Sequence, residues 1–488
     1  MGALVATYWD DSWHTDKGRD EFAIPPHLLL YGGVLVASLA VAAWGVLAWR
    51  SAGWGAGGLR RVLGDPALQL AGMGGVVTLL SGPVDDAWHT AYGRDAVLWS
   101  PPHLAAVTGT LALSVGLLAG LRDARGRGAS TARLFASAGV IGALQVPVLE
   151  YDSDVPQFST LWFLPVAALG LCVAAALLDD LLPERWAPVK AAAIYTALRA
   201  GTVMLLAVLG FSLTTVPPVL PLLILSSMMT SRPLALRLAV IGTLSPLIWW
   251  PTLQAQADVT TLVPAGQLPA AVVLGGAAGL LVALIHGDLR ISPRTGAVKR
   301  VAAVGAVVAI TLATNPDPAS AHDPGQGPQV AEGRLRVERT GGSALLTMAL
   351  VSPCDGVEAV RTVARRAGQT KTGTLTISSA PGSDCLVTGS VNDLGAGRWF
   401  VYAELKGLDD QRLEAWLPAT DEATTAGIRP LYAPPLASVP ASRTVAATAL
   451  LLVVASLLIA CLRLAHRTSQ MAVHGAVPGG PTSDIRTG

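Results

Sequence analysis

A series of long apolar segments, separated by short polar ones, constrains this chain more than any other feature. Hydrophobic residues make up 52% of its 488 residues and charged residues only 14%, against about 25% charged in average soluble domains. A helix needs roughly 20 apolar residues to cross a bilayer. Eleven segments approach that length: 28–49, 66–83, 102–121, 133–149, 158–178, 191–212, 216–230, 234–251, 267–287, 301–316 and 445–462. The pattern predicts a polytopic α-helical membrane protein, in which the short, proline-containing segment 216–230 is the least regular.

Arginine and lysine cluster after alternate segments. These clusters are Arg50, Arg60 and Arg61; Arg122, Arg125, Arg127 and Arg133; Arg232 and Arg237; Arg290, Arg294, Lys299 and Arg300; Arg463 and Arg467. Basic residues mark cytoplasmic loops, so the N-terminus is predicted outside and the C-terminus inside, in the plasma membrane. A net charge of +1 without a long basic run argues against a nucleic-acid partner. The predicted partners are the lipid bilayer, a metal ion, and further membrane subunits or a second copy of the chain.

One motif occurs twice on the predicted outer side. Residues 10–28 read DDSWHTDKGRDEFAIPPHL, and residues 85–104 read DDAWHTAYGRDAVLWSPPHL. Both copies contain Asp-Asp-x-Trp-His, then Gly-Arg-Asp, then Pro-Pro-His-Leu. Four of the eight histidines of the chain lie in these two stretches.

The spacing within each copy is suited to metal binding. Asp10 and His14 would share one face of a helix, and His27 follows two prolines that favour the first helical turn. The corresponding residues of the second copy are Asp85, His89 and His103. Two imidazoles and a carboxylate suit copper, zinc or iron.

Several neighbours are candidates for supporting roles. Additional metal ligands are predicted among Asp11, Asp86 and His322, and residues that orient the imidazoles among Arg19, Asp20, Arg94 and Asp95. A purely structural interpretation stays open, because tryptophan is common at membrane interfaces and a duplicated hairpin can keep its sequence for packing. The acidic loop with Glu150, Asp152 and Asp154 is interpreted as a solvated loop, with cation attraction as the alternative. His286, His466 and His474 are interpreted as incidental.

The repeated motif resembles the copper-binding C subunit of particulate methane and ammonia monooxygenases. The resemblance lies in Asp10-x3-His14-x12-His27 and Asp85-x3-His89-x13-His103, and it covers about the first 180 residues. It implies copper as the cofactor at both sites. That family usually has asparagine where this chain has Asp85, which makes the second site more anionic here.

A β domain is predicted after the tenth segment. Short alternating stretches such as GRLRVER, ALLTMALV, GTLTISS, CLVTGSV, RWFVYAEL and RLEAWL follow a linker rich in proline and glycine, which is typical of an extracytoplasmic β-sandwich. Residues 322–438 resemble, in a general way, copper-resistance and immunoglobulin-like sandwich domains. Cys354 and Cys385 are expected to form a disulfide in this oxidising compartment. The sequence Ala319-Ser320-Ala321 before His322 fits a cleavage site that would leave an N-terminal copper-binding histidine, or else an uncut linker.

Four regions are therefore expected: a duplicated metal-site membrane domain (1–182), further membrane helices (183–316), the extracytoplasmic sandwich (317–440), and a C-terminal membrane helix with a cytoplasmic tail (441–488). Three functions remain open. The chain captures or passes on copper; or it is a copper-dependent membrane monooxygenase, or a C-like subunit of one, acting on a small apolar substrate; or it is an assembly protein without metal.

Overall fold

The computed structural model describes most of the chain. The described residues are 1–17, 23–92, 98–152, 159–182, 184–256, 260, 262–291, 329–350, 357–366, 369–378, 385–397, 399–406, 412–419, 423–432 and 441–475. They form twelve α-helices: α1 Gly2–Lys17, α2 Pro25–Ser51, α3 Ala56–Leu63, α4 Pro66–Tyr92, α5 Pro101–Gly120, α6 Arg127–Gln145, α7 Phe163–Leu181, α8 Ala187–Val208, α9 Val219–Met228, α10 Leu234–Gln254, α11 Leu268–Ile291 and α12 Ala441–Gly475.

The helical part is compatible with the predicted multi-pass membrane protein. Across the described ranges, nine helical stretches are long and apolar enough to cross a membrane: Pro25–Ser51, Pro66–Trp88, Pro101–Gly120, Arg127–Tyr151, Thr160–Leu181, Ala187–Val208, Leu234–Gln254, Ala265–Gly287 and Ala441–Gln470. Each coincides with one of the predicted segments. The predicted segment 301–316 lies outside the described residues.

The predicted span at 216–230 contains only the ten-residue helix α9. Helix α8 ends in a two-bond C-cap, in which Phe211 N donates to Leu206 O and Gly210 N to Ala207 O, with Gly210 at φ +71°. The chain then continues without helix to Pro218, because Pro217 and Pro218 lack the amide hydrogens that a helix interior needs. At 1.5 Å per residue, α9 is about 15 Å long, which is half of the roughly 30 Å hydrocarbon core.

Glycines bring α10 and α11 into backbone contact. A Cβ added at Gly242 would collide with the carbonyl oxygen of Gly275, and one at Gly279 with that of Leu238. Small residues at such crossings allow close van der Waals packing where lipid supplies no hydrophobic driving force between helices. The helical core next to this crossing includes Leu171, Leu238 and Ile241, all almost fully buried.

A separate antiparallel β domain follows the helices. Its strands are β1 Gln329–Thr340, β2 Ser343–Leu350, β3 Glu358–Arg366, β4 Gln369–Ser378, β5 Cys385–Val391, β6 Trp399–Lys406, β7 Arg412–Ala419 and β8 Thr424–Tyr432. They hydrogen-bond in the order β1-β2-β5-β4-β3-β6-β7-β8, and β1 pairs with β8 to close the sheet. The expected antiparallel β domain is thus present, as one closed barrel rather than two separate sheets.

Every second side chain of the strands points into the barrel and fills its interior. Side chains of β2 and β5 alternate between exposed or intermediate and buried positions, as expected for strands with one face towards a core. Leu346, Val387 and Val401 are among the fully buried residues of this interior. Closure removes the free sheet edges that would otherwise pair with other chains.

The C-terminal helix returns the chain from the β domain to the helical bundle. Helix α12 packs against α5 and α7, and β7 lies against α1. The β domain is therefore in contact with the helix that carries the first copy of the repeated motif.

Replacing Gly242 with alanine should destabilise the helical bundle. Overpacking a tight contact costs about 1–3 kcal/mol, which exceeds the roughly 1 kcal/mol gain from replacing a helical glycine. The midpoint of thermal unfolding in detergent should fall for Gly242→Ala. Gly201→Ala in α8, where nothing lies within 4 Å of an added Cβ, should leave the midpoint unchanged or raise it. Equal midpoints for the two variants would contradict the close crossing.

Candidate metal centre

The first copy of the motif brings a carboxylate to an imidazole. Helix α1 carries Asp10, and α2 begins at Pro25 after Ile24, whose extended backbone (φ −71°, ψ 157°) turns the chain into the new helix. The two prolines occupy the first helical positions, where their missing amide hydrogens cost nothing. His27 then lies in the first turn of α2, with its Nε2 atom 3.3 Å from Oδ1 of Asp10.

The second copy forms the same contact from equivalent elements. Helix α4 carries Asp85, and α5 begins at Pro101 after Ser100, which has nearly the same extended backbone (φ −64°, ψ 150°). Nε2 of His103 lies 3.2 Å from Oδ2 of Asp85. Both pairs are partly buried. The structure thus contains two matching helix–helix corners, the first with Asp10 and His27 and the second with Asp85 and His103.

The remaining predicted ligands are not placed by the structure. His14 lies one helical turn after Asp10 along α1, and His89 one turn after Asp85 along α4, but their side chains are outside the described part of the chain. The same is true of Arg19, Asp20, Arg94, Asp95 and His322. Among the side chains that are described, no group of three or more His, Cys, Asp or Glu residues is close enough to hold a metal ion. Asp11 is half-buried and Asp86 is exposed.

The two corners differ in what surrounds their tryptophans. Trp13 stacks on Phe211 with ring centroids 5.8 Å apart, and Trp9 meets both rings edge-on. Trp88 takes the place of Trp13 in the second copy and is only 4% exposed. The guanidinium of Arg443 from α12 lies over its ring, 5.7 Å from the ring centroid. The first corner therefore borders a half-buried aromatic cluster, whereas the tryptophan of the second corner lies against an arginine of the C-terminal helix.

Glu150 and Asp152 are buried, which corrects the expectation of a solvated acidic loop. Glu150 is 6% exposed, and its Oε2 atom accepts a hydrogen bond from the backbone nitrogen of Leu98 at 2.9 Å. That contact holds the segment just before the second Pro-Pro-His sequence. Asp154 lies outside the described residues.

Asp152 is the centre of a polar network that the sequence did not reveal. Its Oδ2 atom lies 3.5 Å from Arg199 of α8 and accepts from the backbone nitrogen of Thr215 at 3.2 Å. The hydroxyls of Thr215 and Thr260 donate to its Oδ1 atom at 2.8 and 3.3 Å. Burial raises the pKa of the Asp152 carboxyl to about 6, and the nearby Arg199 guanidinium and the Thr215 hydrogen bonds act in the opposite direction.

Arg199 connects this network to the first helix. Its guanidinium lies 3.5 Å from the centre of the Tyr8 ring and donates to Thr214 Oγ1 at 2.6 Å. The hydroxyls of Tyr8 and Tyr195 are 3.3 Å apart. The one signal in the sequence was an arginine inside an apolar segment, since charges there are costly unless they are paired.

A second buried polar cluster includes two of the histidines expected to be incidental. Nε2 of His286 in α11 lies 2.7 Å from Oδ2 of Asp180 in α7, and both residues are about 5% exposed. The His466 ring of α12 meets the His286 ring edge-on at 6.1 Å, and Gln470 lies 2.9 Å from Nε2 of His466. These residues join three helices at the predicted cytoplasmic end. The His474 side chain lies outside the described part of the chain.

The cysteines fall into two groups. Cys172 and Cys461 are free and buried among the helices, as expected for small apolar residues. Cys385 takes part in a disulfide, and its predicted partner Cys354 lies outside the described residues.

Comparison with known proteins gives no relative for this chain. A scan against protein-family models finds no matching family, and searches of the curated proteins and of the solved structures find no match. The function is therefore inferred from the residues and contacts of the chain itself.

Replacing Asp152 with asparagine should destabilise the protein strongly. Breaking a buried ion pair costs about 3–5 kcal/mol, because the partner charge stays buried without compensation. The exposed pair of Lys190 and Glu184, 3.3 Å apart, offers a matched control worth about 0–1 kcal/mol. The thermal midpoint in detergent should fall for Asp152→Asn and stay nearly constant for Glu184→Gln. A similar midpoint for both would show that the Asp152 network contributes little.

Proposed function

We propose that this chain is a copper-binding membrane protein that captures copper, or passes it on, at two sites on its outer face. Asp10, His14 and His27 form the first site, and Asp85, His89 and His103 the second. The observation that supports the proposal is the duplication of one contact: a carboxylate near the end of a helix meets the histidine of a Pro-Pro-His turn twice, at 3.3 and 3.2 Å.

The separation of the donor atoms fits a bound metal. Ligand nitrogens and oxygens lie about 2.0–2.2 Å from a tetrahedral ion such as zinc, so two ligands of one ion are roughly 3.3 Å apart. The distances in both corners have this size. An ion pair between aspartate and histidine would have the same separation, and a measurement of bound metal distinguishes the two.

The donor set suits copper, zinc or iron, and the resemblance of the motif favours copper. Imidazole nitrogens suit copper, and both spacings match the copper sites of the monooxygenase C subunit. Bound copper would supply a redox-active Lewis acid. The chain contributes the anionic oxygen of Asp10 or Asp85, which offsets the ion's charge, and a helix start that fixes each imidazole. The hydrogen bond from Leu98 to Glu150 holds the second corner in place.

The full-length protein, purified in detergent and loaded with copper, should contain about two copper ions per chain by elemental analysis. His27→Ala or His103→Ala should each remove about one ion, because loss of a direct ligand usually abolishes tight binding. The double variant His14→Ala/His89→Ala should contain none. His474→Ala, a histidine outside both motifs, serves as the control and should keep two. Copper content near zero in the loaded wild type would contradict the proposal and favour an assembly role without metal.

The residue at position 85 tests the resemblance separately. Asparagine usually stands there in the monooxygenase family, and its amide oxygen is an acceptor that can bind a metal. Asp85→Asn should therefore keep the second copper ion, whereas Asp85→Ala should lose it. Loss of the ion in both variants would show that the second site requires a carboxylate and departs from the family's site.

A second candidate function is oxidation of a small apolar substrate by a copper-dependent monooxygenase. The specific observation in its favour is the half-buried cluster that Trp9 and Trp13 of α1 form with Phe211, which follows α8. This cluster offers an apolar contact surface. If the chain is such an enzyme, oxygen-dependent oxidation of a short alkane by membranes containing it should be lost in Asp85→Ala. If wild-type membranes show no such oxidation, copper handling remains as the function. In that case, cells that carry His103→Ala should show an altered tolerance to copper.

A further inference from the structure

The two candidate sites are joined by one side chain, Tyr31. Tyr31 lies one helical turn after His27 in α2, and the centroids of the two rings are 5.8 Å apart at an interplanar angle of 53°. The phenol ring therefore supports the imidazole of the first corner from the side of the bundle.

The other end of the same ring reaches the helix of the second corner. A Cβ added at Gly82 in α4 would lie 2.6 Å from both Cζ and Oη of Tyr31, so the phenol rests directly on the α4 backbone. Gly82 precedes Asp85 by three residues, and residues so spaced are neighbours on one helix face, about 5–6 Å apart at Cβ. The phenol thus lies between the imidazole of one corner and the turn that carries the carboxylate of the other.

The need for glycine at position 82 follows from this contact. Any larger residue would push the phenol away from α4, because the neighbouring atoms are the rigid end of an aromatic ring. Gly72, ten residues earlier in the same helix, has nothing within 4 Å of an added Cβ. A change there leaves the contact untouched.

We propose that Tyr31 couples the two sites, so that occupation of the first site strengthens cation binding at the second. The inference rests on the proposed function. A metal ion on His27 fixes the imidazole, which fixes the phenol packed against it. The fixed phenol in turn holds the turn of α4 that carries Asp85. The turn of α4 is then already ordered before the second ion binds, so the second ion binds more tightly. Coupling of this kind is reciprocal between the sites. Tyr31 is a positioning residue here, not a ligand.

The test measures the copper affinity of the second site with the first site present and absent. Copper(II) is titrated into metal-free, full-length protein in competition with a chromophoric chelator. His27→Ala should weaken binding at the second site by about 5-fold or more, the lower range of ordinary coupling between sites. In a Tyr31→Ala background, His27→Ala should produce no further weakening. An equal weakening in both backgrounds would overturn the proposal.

Three more variants separate coupling from damage to the fold. Gly82→Ala keeps the phenol but displaces it, and should abolish the coupling as Tyr31→Ala does, whereas Gly72→Ala should retain it. Tyr31→Phe keeps the ring and should retain the coupling; its loss there as well would assign the coupling to the hydroxyl of Tyr31. Retained coupling in Gly82→Ala would overturn the proposed path. Absence of copper from every variant and from the wild type would instead refute the proposed function, and with it the coupling.

Discussion

One end of the helical bundle depends on the buried contact between Asp152 and Arg199. Arg199 is 1% exposed within an apolar helix, where an unpaired charge would be costly. Satisfying it brings together four segments that are distant in sequence: the turn after α6, the helix α8, the extended stretch that carries Thr214 and Thr215, and the loop with Thr260. The contact between Arg199 and Tyr8 adds α1 to this group. The helix that carries Asp10 is thus positioned by a polar network rather than by apolar packing alone.

Hydropathy and local motifs predicted the parts of this structure that depend on short stretches of sequence. The nine long apolar helices coincide with predicted segments, and the Pro-Pro-His sequences begin helices as expected for proline at the first positions. The pairing of Asp10 with His27 could also be anticipated, because the two residues are close in sequence and His27 follows the two prolines that begin a helix. The Arg199 network could not, since Thr214 and Asp152 lie 15 and 47 residues away from Arg199, and Tyr8 lies in the first helix.

In the β domain, too, short stretches of sequence predicted some elements, and others depend on distant partners. Six of its eight strands contain the alternating stretches recognised in the sequence, whereas β3 and β8 were not recognised. Strand β3 carries Arg361, Arg365 and Arg366, so its apolar alternation is weak. Its stability comes from pairing: Arg361 reaches Glu404 of the neighbouring strand at 2.6 and 3.0 Å, and Glu404 is almost fully buried. Closure of the barrel depends on such cross-strand partners, which no window of single-strand length contains.

The two copies of the motif have kept their chemistry while their surroundings have diverged. Duplicated hairpins retained only for packing would be expected to pack against similar neighbours, yet Trp13 faces Phe211 and Trp88 faces Arg443. What the copies do share is the carboxylate, the imidazole and the distance between them. The contact between aspartate and histidine is the same in both copies, whereas the neighbours of the tryptophans differ. This favours a common role in binding a ligand over a common role in packing. The pairs themselves stay accessible in both corners: His27 and Asp10 are 17% and 20% exposed, and His103 and Asp85 are 32% and 17% exposed. Because coupling between two sites is reciprocal, coupling through Tyr31 would act whichever of the two corners an ion reached first.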